Sequence, residues 1–471
     1  MKILLLRPQS NHYLFSSVPP LGLGYLAGAL GKQGHEVEIQ DVANRFFHDD
    51  TFHINLQQSP PDIIGIQVYS RELAAAKNLL DRIRSQVGPQ VTVVAGGAHP
   101  STMPDELFAH LPDIDYGLIG EAEISLPLLA RHLAGETAVA PASIPGLIYR
   151  DNGAVRINPV DHPADIDQFD FPAWDKMKLA GYRHTNIFGG GFSRRTPAMT
   201  MLTSRGCPHR CAFCAATVIS GNRLRLRDPE RIVDEMEILR NKYGFREIKI
   251  IDDNFNAARR HVLAVGEAFA RRPVDISSSF VCGLQLQTLD DEILRTLKLL
   301  GGYELMVAVE SGSSRVLQLM NKQVDLSGLR EKVALIHRHG FKVILLFIIG
   351  YPGETCAEIK QSIKLSLDLP LDRVHYNCFS PFPGSAVYRE LAEQGKLQDF
   401  ATDHVHFETI NYSFVDGLSA RQLNRLRQQA LLRFYLRPKT IFNLWTSFNS
   451  WRGVKFLLGK AADYFGFLRR F

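Results

Sequence analysis

Short apolar runs alternate with amphipathic stretches along the first 135 residues of the chain. The runs have the length of buried parallel strands, and apolar positions three or four residues apart in the intervening stretches indicate helices. This alternation predicts a Rossmann-like, doubly wound parallel sheet that binds ligands at the carboxyl ends of its strands. The predicted strands are residues 2–6, 35–40, 62–68, 91–95 and 115–119, and the predicted helices are residues 21–33, 72–86 and 123–133.

A second series of alternating elements occupies residues 198–395. Six strand–helix units predict a partial (βα)6 TIM barrel, with its chemistry at the carboxyl ends of the strands. The predicted strands are residues 199–204, 247–252, 277–282, 303–309, 342–348 and 373–379. The predicted helices are residues 228–242, 258–271, 289–300, 313–320, 327–339, 354–367 and 385–394. Residues 136–197 are predicted to be a connector that contains a β-hairpin, and residues 396–471 a helical carboxyl-terminal region.

Composition adds little to this picture, because 45% hydrophobic and 22% charged residues are ordinary for a globular protein. The net charge of +5 belongs to the carboxyl-terminal region, where residues 431–471 hold eight Lys or Arg and one Asp. A nucleic-acid partner is therefore not expected. The apolar run 343–349 is too short to span a bilayer, and residues 2–6 are too short for a signal peptide. We expect a cytoplasmic protein without a transmembrane helix.

Three of the six cysteines lie within eight residues. Cys207, Cys211 and Cys214 form a Cys-x3-Cys-x2-Cys array directly after the first predicted barrel strand. Three thiolates can hold three irons of a [4Fe–4S] cluster, whose fourth iron then stays open to a substrate or cofactor. A tetrahedral zinc site would need a fourth ligand, for which His209 is the nearby candidate. A disulfide is disfavoured in an intracellular chain.

The spacing of these cysteines, with the aromatic Phe213 just before the last one, resembles the signature of the radical S-adenosylmethionine (SAM) enzymes. The resemblance implies that the open iron binds SAM through its amino and carboxylate groups. It also implies reductive cleavage of SAM to methionine and a 5′-deoxyadenosyl radical, which abstracts hydrogen from an unactivated carbon. The three cysteines would then be both catalytic and metal-binding. An electron donor such as flavodoxin or ferredoxin is implied as a partner.

Three strand ends of the predicted barrel resemble positions that contact SAM in the same family. An acidic pair ends the second strand, where the family has a Gly-Gly-Glu-like motif for the amino group of SAM; the exact triplet is absent here. A Glu-Ser-Gly turn ends the fourth strand, and a Gly-Tyr-Pro-Gly turn, where adenine would lie, ends the fifth. Such residues also commonly cap the next helix, and Glu354 fits both interpretations. The residues assigned to SAM are Asp252, Asp253, Glu310, Ser311, Gly350 and Pro352.

Three segments of the amino-terminal half resemble the cobalamin-binding domain that precedes many radical SAM barrels. They are Pro-Pro-Leu-Gly-Leu-Gly-Tyr-Leu-Ala at 19–27, Gly-Gly-Ala-His-Pro-Ser at 96–101 and Gly-Glu-Ala-Glu at 120–123. The Asp-x-His-x-x-Gly motif, which supplies a histidine to cobalt in other cobalamin proteins, is missing, so we do not expect a histidine on cobalt. The loops after the first and third strands would line the lower face. The residues assigned to cobalamin are Gly96, Gly97, His99, Pro100, Ser101, Gly120, Glu121, Tyr69 and Ser70.

Together the resemblances imply a cobalamin-dependent radical SAM enzyme that modifies a bulky apolar small molecule, with methyl transfer as the favoured reaction. Oxidative cyclisation or rearrangement of a lipid, isoprenoid or tetrapyrrole-like substrate is an alternative. A radical SAM enzyme without cobalamin, or a non-catalytic iron–sulfur or zinc module, also fits the residues. Residues 439–471 mix aromatic and basic side chains, which suits either a helix in a membrane interface or a lid on the barrel. Peripheral contact with the inner membrane is therefore an open expectation.

Overall fold

The computed structural model describes residues 1–8, 19–42, 56, 59–136, 138–182, 193–398, 400, 410–438 and 440. Two sheets organise these residues, and each follows the alternation seen in the sequence. The first sheet has seven strands in the order β2-β1-β3-β4-β5-β6-β7. Its strands are β1 (Lys2–Arg7), β2 (Glu36–Asp41), β3 (Ile63–Gln67), β4 (Thr92–Gly96), β5 (Tyr116–Leu118), β6 (Leu147–Asp151) and β7 (Ala154–Ile157). Its helices are α1 (Leu21–Lys32), α2 (Leu73–Val87), α3 (Ala98–Thr102), α4 (Leu107–His110) and α5 (Ser125–Leu133).

Both faces of the first sheet are covered by helices, as its almost continuously apolar strands require. Ile3 and Leu5 on one face of β1 pack into the core that contains residues of α1 and α5. Leu4 and Leu6 on the other face pack with residues of α2. The parallel strands β1 to β5 therefore form the predicted doubly wound sheet, and their carboxyl ends meet at one edge.

The β-hairpin that the sequence assigned to the connector extends this first sheet. Strand β6 pairs antiparallel with β5, and β7 pairs antiparallel with β6. The short helices α3 and α4 were not predicted, because five and four residues are too few to show a helical period.

The second sheet has six parallel strands in the order β15-β14-β13-β12-β11-β8. From residue 198 onward the strands are β8 (Ala198–Met201), β9 (Ser204–Arg205), β10 (Arg225–Leu226), β11 (Glu247–Ile250), β12 (Ser277–Leu284), β13 (Gly302–Glu310), β14 (Lys342–Ile349) and β15 (Arg373–Cys378). The helices are α6 (Ala216–Ser220), α7 (Pro229–Glu237), α8 (Arg259–Arg271), α9 (Asp291–Leu299), α10 (Ser314–Leu319), α11 (Leu329–Arg338), α12 (Cys356–Asp368), α13 (Ala386–Glu393) and α14 (Ala420–Tyr435). Strands β8 and β15 are the edges, which confirms the predicted partial barrel.

The first barrel strand was predicted to run to residue 204, but it ends at Met201. Beyond it the chain leaves the sheet, and the backbone N–H of Thr203 binds the Asp252 side chain. The strands β9 and β10 pair antiparallel with each other as a separate hairpin. The Asp252 carboxylate therefore accepts a backbone hydrogen bond that a neighbouring strand would accept if the sheet continued.

The inner face of the barrel carries its own small apolar cluster, separate from the main core between strands and helices. Because side chains alternate along a strand, these residues point to the side opposite the helices. The cluster consists of Val281, Met306 and Ile344, with Ile251 and Leu346 packed against it.

Helix α14 covers the edge strand β15. The Tyr435 hydroxyl donates to the carbonyl oxygen of Val374 at 3.0 Å, and Arg427 Nε donates to the carbonyl oxygen of Tyr376 at 2.7 Å. These bonds satisfy backbone groups that an edge strand otherwise leaves open. Residues 439–471 lie outside the described residues except for Thr440. No helix in the described ranges is long and apolar enough to cross a membrane.

Candidate active site

The three clustered cysteines lie on a loop that is anchored at several points. The loop begins at Gly206, whose φ of +83° is in the left-handed region. In its middle, Ala212 donates its backbone N–H to the Met320 carbonyl and accepts at its own carbonyl from Val387 N–H, both at 2.9 Å. The carboxyl end of α10 and the start of α13 therefore hold the loop at the carboxyl end of the barrel.

Cys207, Cys211 and Cys214 are free thiols and half-buried. Burial raises the pKa of each thiol, that of Cys214 to about 11, although the backbone N–H of Ala216 donates to the Cys214 Sγ at 3.4 Å. A raised pKa keeps a thiol protonated, and a bound metal stabilises the deprotonated thiolate because it supplies positive charge.

The donor set fits an iron–sulfur cluster. Within the described ranges, no three His, Cys, Asp or Glu side chains converge as the ligands of one metal ion do. A four-iron cluster instead takes about one thiolate per iron, and three free thiols on one anchored loop supply three of the four positions.

Asp252 holds the residues that lead into the cysteine loop. Its Oδ1 accepts from Thr203 N at 2.7 Å, and its Oδ2 accepts from Ser204 Oγ at 2.7 Å and from Thr203 Oγ1 at 2.5 Å. Burial raises the pKa of the Asp252 carboxyl to about 6, against the effect of these hydrogen bonds. Both oxygens of this residue, assigned to SAM on the sequence, are thus engaged with the protein.

Asp253 is placed differently from its neighbour. Its side chain is exposed and lies beside the loop, where the Ser220 hydroxyl and the Gly206 backbone interact with the carboxylate. The charge of Asp253 also raises the pKa of Cys207 and Cys214. An accessible carboxylate next to the three thiols suits the ammonium group of a ligand.

Glu310 ends strand β13 in a conformation that non-glycine residues rarely adopt. Its φ is +71°, its side chain is buried, and Lys322 Nζ lies 3.7 Å from its Oε1. Both Lys322 and Glu310 act on the pKa of Cys211, so the pair lies near the loop. A strained residue of this kind commonly marks a functional position.

Ser311 supports the turn that follows Glu310. Its hydroxyl accepts from the backbone N–H of Ser313 at 3.1 Å, and Ser313 in turn caps helix α10. A side chain at Gly312 would meet the Ser362 backbone at 2.8 Å, so the close packing of α12 requires glycine there.

The turn after β14 is closed by a buried carboxyl. Glu354 Oε2 accepts from the backbone N–H groups of Gly350 at 2.9 Å and Tyr351 at 3.3 Å. Burial raises the pKa of Glu354 to about 8. Thr355 is the N-cap of α12, so Glu354 stabilises the turn. Pro352 is partly exposed on this turn.

Phe213 connects the cysteine loop to that turn. It packs against a buried aromatic and aliphatic cluster that contains Tyr351 and Phe379. The loop, Gly350 and Pro352 therefore belong to one wall of the site.

Two glycine turns at the carboxyl edge of the first sheet are tied together by Ser101. Its hydroxyl donates to the Gly97 carbonyl at 2.7 Å and accepts from Gly120 N–H at 2.9 Å. Gly97 has a φ of +97°, and a Cβ there would meet the Val68 carbonyl oxygen at 3.1 Å. A Cβ at Gly96 would meet nothing within 4 Å, so this edge has open space.

His99 and Pro100 are buried in the short helix α3, which follows Gly97. Both ring nitrogens of His99 are engaged, with Ser70 Oγ at 3.0 Å and with His110 Nδ1 at 3.1 Å. Gln67 Oε1, at the end of β3, is buried without a hydrogen-bond partner among the described residues. Tyr69, partly exposed, precedes Ser70. The open space and the unpaired acceptor fit a bound cofactor at this edge.

Glu121, which the sequence assigned to cobalamin, joins the first sheet to the barrel. Its carboxylate makes two hydrogen bonds with Arg225, at 2.6 and 2.7 Å, and lies 3.2 Å from Arg205 Nη1. Glu123 adds a contact of 2.7 Å to Arg205 Nη2. Burial alone would raise the pKa of Glu121, but Arg225 and Arg205 hold it below its usual value. We call these four residues the interdomain ion-pair cluster.

The two arginines of the interdomain ion-pair cluster lie in the strands before and after the cysteine loop. Arg205 lies in β9 and Arg225 in β10, the two strands that flank residues 207–214. Helix α3 also packs against α6, which follows the last cysteine of the loop. Sequence reasoning missed both arginines, although two glutamates in a buried glycine motif are a signal that cationic partners exist.

Of the cysteines outside the loop, Cys282 is exposed, whereas Cys378 is buried. Gly283 beside it has a φ of +85°, and the pairing of β12 with β13 is irregular here. Desolvation of the Cys282 thiol by the nearby protein, together with the charges of Asp252 and Asp253, raises its pKa to about 12. Cys282 therefore lies near the acidic pair.

Two family models match the chain. Residues 13–130 match the B12 binding domain, and residues 201–366 match the radical SAM superfamily. The first segment covers most of the parallel part of the first sheet, and the second begins at the end of β8 and reaches α12. Together they include more than half of the chain.

Curated relatives match along most of their lengths. The chain is 28% identical over 457 residues to an uncharacterized methyltransferase of Pyrococcus horikoshii, with 94% of each chain covered. It is 29% identical over 444 residues to cytidylyl-2-hydroxyethylphosphonate methyltransferase of Streptomyces wedmorensis, which covers 84% of this chain and 82% of that protein. It is 23% identical over 471 residues to an anaerobic magnesium-protoporphyrin IX monomethyl ester cyclase of Cereibacter sphaeroides, which covers 97% and 73%.

A solved structure has the same fold. It is that of TsrM, a radical S-adenosylmethionine methyltransferase from Kitasatospora setae, with cobalamin and a [4Fe–4S] cluster bound. The TM-score is 0.70 at 22% identity, over 83% of this chain and 78% of that one.

Replacing Gly206 by alanine should prevent cluster assembly. The added Cβ would lie 2.3 Å from the Arg223 carbonyl oxygen, so the start of the cysteine loop must move. Gly135→Ala is the matched control, because Gly135 also has a positive φ, of +89°, but has nothing within 4 Å. Both variants carry a backbone cost of about 1 kcal/mol, yet only Gly206→Ala should lose most of its iron after anaerobic reconstitution. Equal iron content in the two variants would contradict the proposed role of the loop.

Glu121→Gln should destabilise the protein by about 3 kcal/mol, because it leaves the buried Arg225 guanidinium without a charge partner. Glu136→Gln, in the exposed pair with Arg131, should cost less than about 1 kcal/mol. Urea unfolding of the two variants and the parent measures both values. If the two substitutions cost the same, the interdomain ion-pair cluster does not hold the two parts of the chain together.

Proposed function

The chain belongs to the radical SAM enzymes that carry an amino-terminal B12-binding domain, and we propose that it transfers a methyl group to an unactivated carbon of a small molecule. The observation that carries this proposal is the position of the cysteine loop. Three free thiols lie at the carboxyl end of the barrel and are clamped through Arg205 and Arg225 to the glycine-lined edge of the first sheet. The carboxyl end of the barrel and the glycine-lined edge of the first sheet would therefore form one site.

The bound groups would be held by residues already described. When bound, a [4Fe–4S] cluster on Cys207, Cys211 and Cys214 supplies the electron that cleaves SAM reductively, and cobalamin supplies the methyl carrier. Asp253 is the accessible carboxylate beside the thiols and would bind the ammonium group of SAM. Asp252 acts by positioning the loop.

The remaining SAM contacts would come from two strand ends. Glu310, with Lys322 at 3.7 Å, would face the polar part of SAM near Cys211. The partly exposed Pro352, on the turn that Glu354 closes, would offer an apolar surface to the adenine. Phe213 would line the same wall.

The substrate would occupy the inner face of the barrel. Ala308 and Leu346 face the same side as Gly283, because a Cβ at Gly283 would contact both of them. His375 and Asn377 lie on alternate positions of the neighbouring strand and are partly exposed. Burial lowers the pKa of His375 to about 4, so this side chain is neutral. An apolar wall with few polar groups supports the proposal of a bulky, largely apolar substrate.

Oxidative cyclisation is the second candidate. It is favoured by the similarity to the magnesium-protoporphyrin IX monomethyl ester cyclase, which extends over most of both chains. Flavodoxin or ferredoxin stays a proposal for the electron donor, since a reductive enzyme of this class needs one.

The function is tested by anaerobic reconstitution with iron, sulfide and cobalamin, followed by desalting. Incubation with methyl-labelled SAM, a reductant and small molecules from a strain that lacks the gene should give a product with the label. Cys207→Ala, Cys211→Ala and Cys214→Ala should each abolish the cluster and SAM cleavage, whereas Cys378→Ala, at a buried core position, should keep both. Four irons in any of the three site variants would contradict the ligand assignment. A product that lacks the label would favour cyclisation, and absence of corrin absorbance would exclude cobalamin.

We also propose that residues 439–471 contact a membrane surface. The support is the sequence alone, in which aromatic residues are mixed with Lys and Arg. Deleting these residues should weaken co-sedimentation with anionic phosphatidylglycerol vesicles while SAM cleavage is kept. Neutral phosphatidylcholine vesicles provide the control, because they lack the attraction for basic residues. Unchanged sedimentation after the deletion would favour a lid on the barrel instead.

A further inference from the structure

Helix α14 carries the two most exposed large apolar side chains of the described residues. Leu432 is 54% exposed, and Leu436, at the carboxyl-terminal cap of the helix, is 66% exposed. Single exposed leucines are common on protein surfaces, but residues four apart are neighbours on one face of a helix. The two leucines therefore form one exposed apolar patch, which takes no part in the site described above.

Two arginines continue this patch toward the amino end of α14. Arg421 and Arg425 are exposed, and neither forms an ion pair with a residue in the described ranges. At 3.6 residues per turn, these arginines and the two leucines fall within an arc of about 60° around the helix axis. The buried residues of α14 lie on the opposite side, and they are Leu423, Ala430 and Phe434. We call Arg421, Arg425, Leu432 and Leu436 the outer stripe of α14.

The charge around the outer stripe has one sign. Residues 417–462 contain nine Lys or Arg and no Asp or Glu. Of the four arginines within α14, Arg427 donates to the Tyr376 carbonyl of β15, whereas Arg421, Arg425 and Arg433 are exposed. The outer face of the helix thus favours a partner that offers negative charge and an apolar layer next to each other.

A bilayer with anionic headgroups offers both layers together. An arginine at such a boundary keeps its methylene groups on the apolar side and its guanidinium group among the phosphates. The basic and aromatic residues 439–471 follow the outer stripe almost directly in sequence. Two adjoining segments of the same character favour an extended lipid surface over a single pocket on a protein.

We propose that α14 lies with its outer stripe on an anionic lipid surface, with the leucines at the acyl boundary and the arginines among the headgroup phosphates. The amino end of α14 lies beside the candidate active site, because a Cβ at Gly350 would be 3.4 Å from Leu423 Cδ1. A bulky apolar substrate would then have a short path between the bilayer and the barrel. That step rests on the proposed function, and the proposal extends the contact of residues 439–471 to a described helix.

Co-sedimentation of the full chain with phosphatidylglycerol and phosphatidylcholine vesicles tests the outer stripe. The double variant Arg421→Gln/Arg425→Gln should bind phosphatidylglycerol vesicles about twentyfold more weakly and phosphatidylcholine vesicles unchanged, because only the anionic surface attracts the arginines. The double variant Leu432→Ser/Leu436→Ser should bind both kinds of vesicle about tenfold more weakly, because the apolar contact is lost in both. If either double variant binds phosphatidylglycerol vesicles as the parent does, the proposal is wrong.

Exposed residues elsewhere on the barrel provide matched controls. Arg246 is exposed, has no ion pair in the described part of the chain and directly precedes β11, whereas α14 covers β15 at the far edge of the sheet. Leu299 is 49% exposed at the end of α9, so its replacement by serine has a similar helix cost. Arg246→Gln and Leu299→Ser should bind vesicles as the parent does. A loss as large as that of the stripe variants would contradict a specific role of α14.

Deletion of residues 439–471 separates the outer stripe from the segment that follows it. Binding that the deletion abolishes and both stripe variants keep would assign the contact to residues 439–471 alone and overturn the role of α14. Binding that survives the deletion and is weakened in the stripe variants would support that role. Vesicle binding needs no cofactor, so a failure to find methyl transfer would count against the proposed function and leave this result standing.

Discussion

The interdomain ion-pair cluster fixes how the carboxyl edge of the first sheet lies relative to the carboxyl end of the barrel, and the rest of the site depends on this arrangement. Glu121 and Glu123 come from the glycine motif that follows β5, and Arg205 and Arg225 come from the hairpin around the cysteine loop. Charges buried this deeply are tolerated only when they are paired, so loss of one partner disfavours the whole contact. The first sheet and the barrel are therefore held together beside the cysteine loop.

The parallel strands explain why reactive side chains gather where the first sheet and the barrel meet. In both sheets the turns at the carboxyl ends of strands lie at one edge, so residues distant in sequence come together. In the barrel this edge collects the cysteine loop, Asp253 and Glu310, and in the first sheet it collects Gly97 and Ser70. The backbone of the cysteine loop is tied to α10 and α13, which keeps the thiols in place without a contribution from the metal.

Much of this organisation could be predicted from the sequence. The periodicity of apolar residues distinguishes helices from strands, and the Cys-x3-Cys-x2-Cys spacing is specific to one class of enzymes. The strand alternation predicted both sheets, and the resemblances to radical SAM and cobalamin-binding proteins are confirmed by the family matches. The roles of single acids could not be predicted in the same way. Asp252 and Asp253 are adjacent and chemically identical, yet one is buried with its oxygens engaged and the other is exposed beside the thiols. Glu121 binds arginines that are more than 80 residues away in sequence, which no local pattern reveals.

The central claim is that three cysteines hold a four-iron cluster with one iron open to SAM. Electron paramagnetic resonance of the reduced, reconstituted protein tests it most directly, because an iron that binds SAM changes its electronic environment. The account predicts a [4Fe–4S] signal that shifts when SAM is added. A signal that SAM leaves unchanged, or a protein that holds a single zinc ion and no cluster, would contradict it.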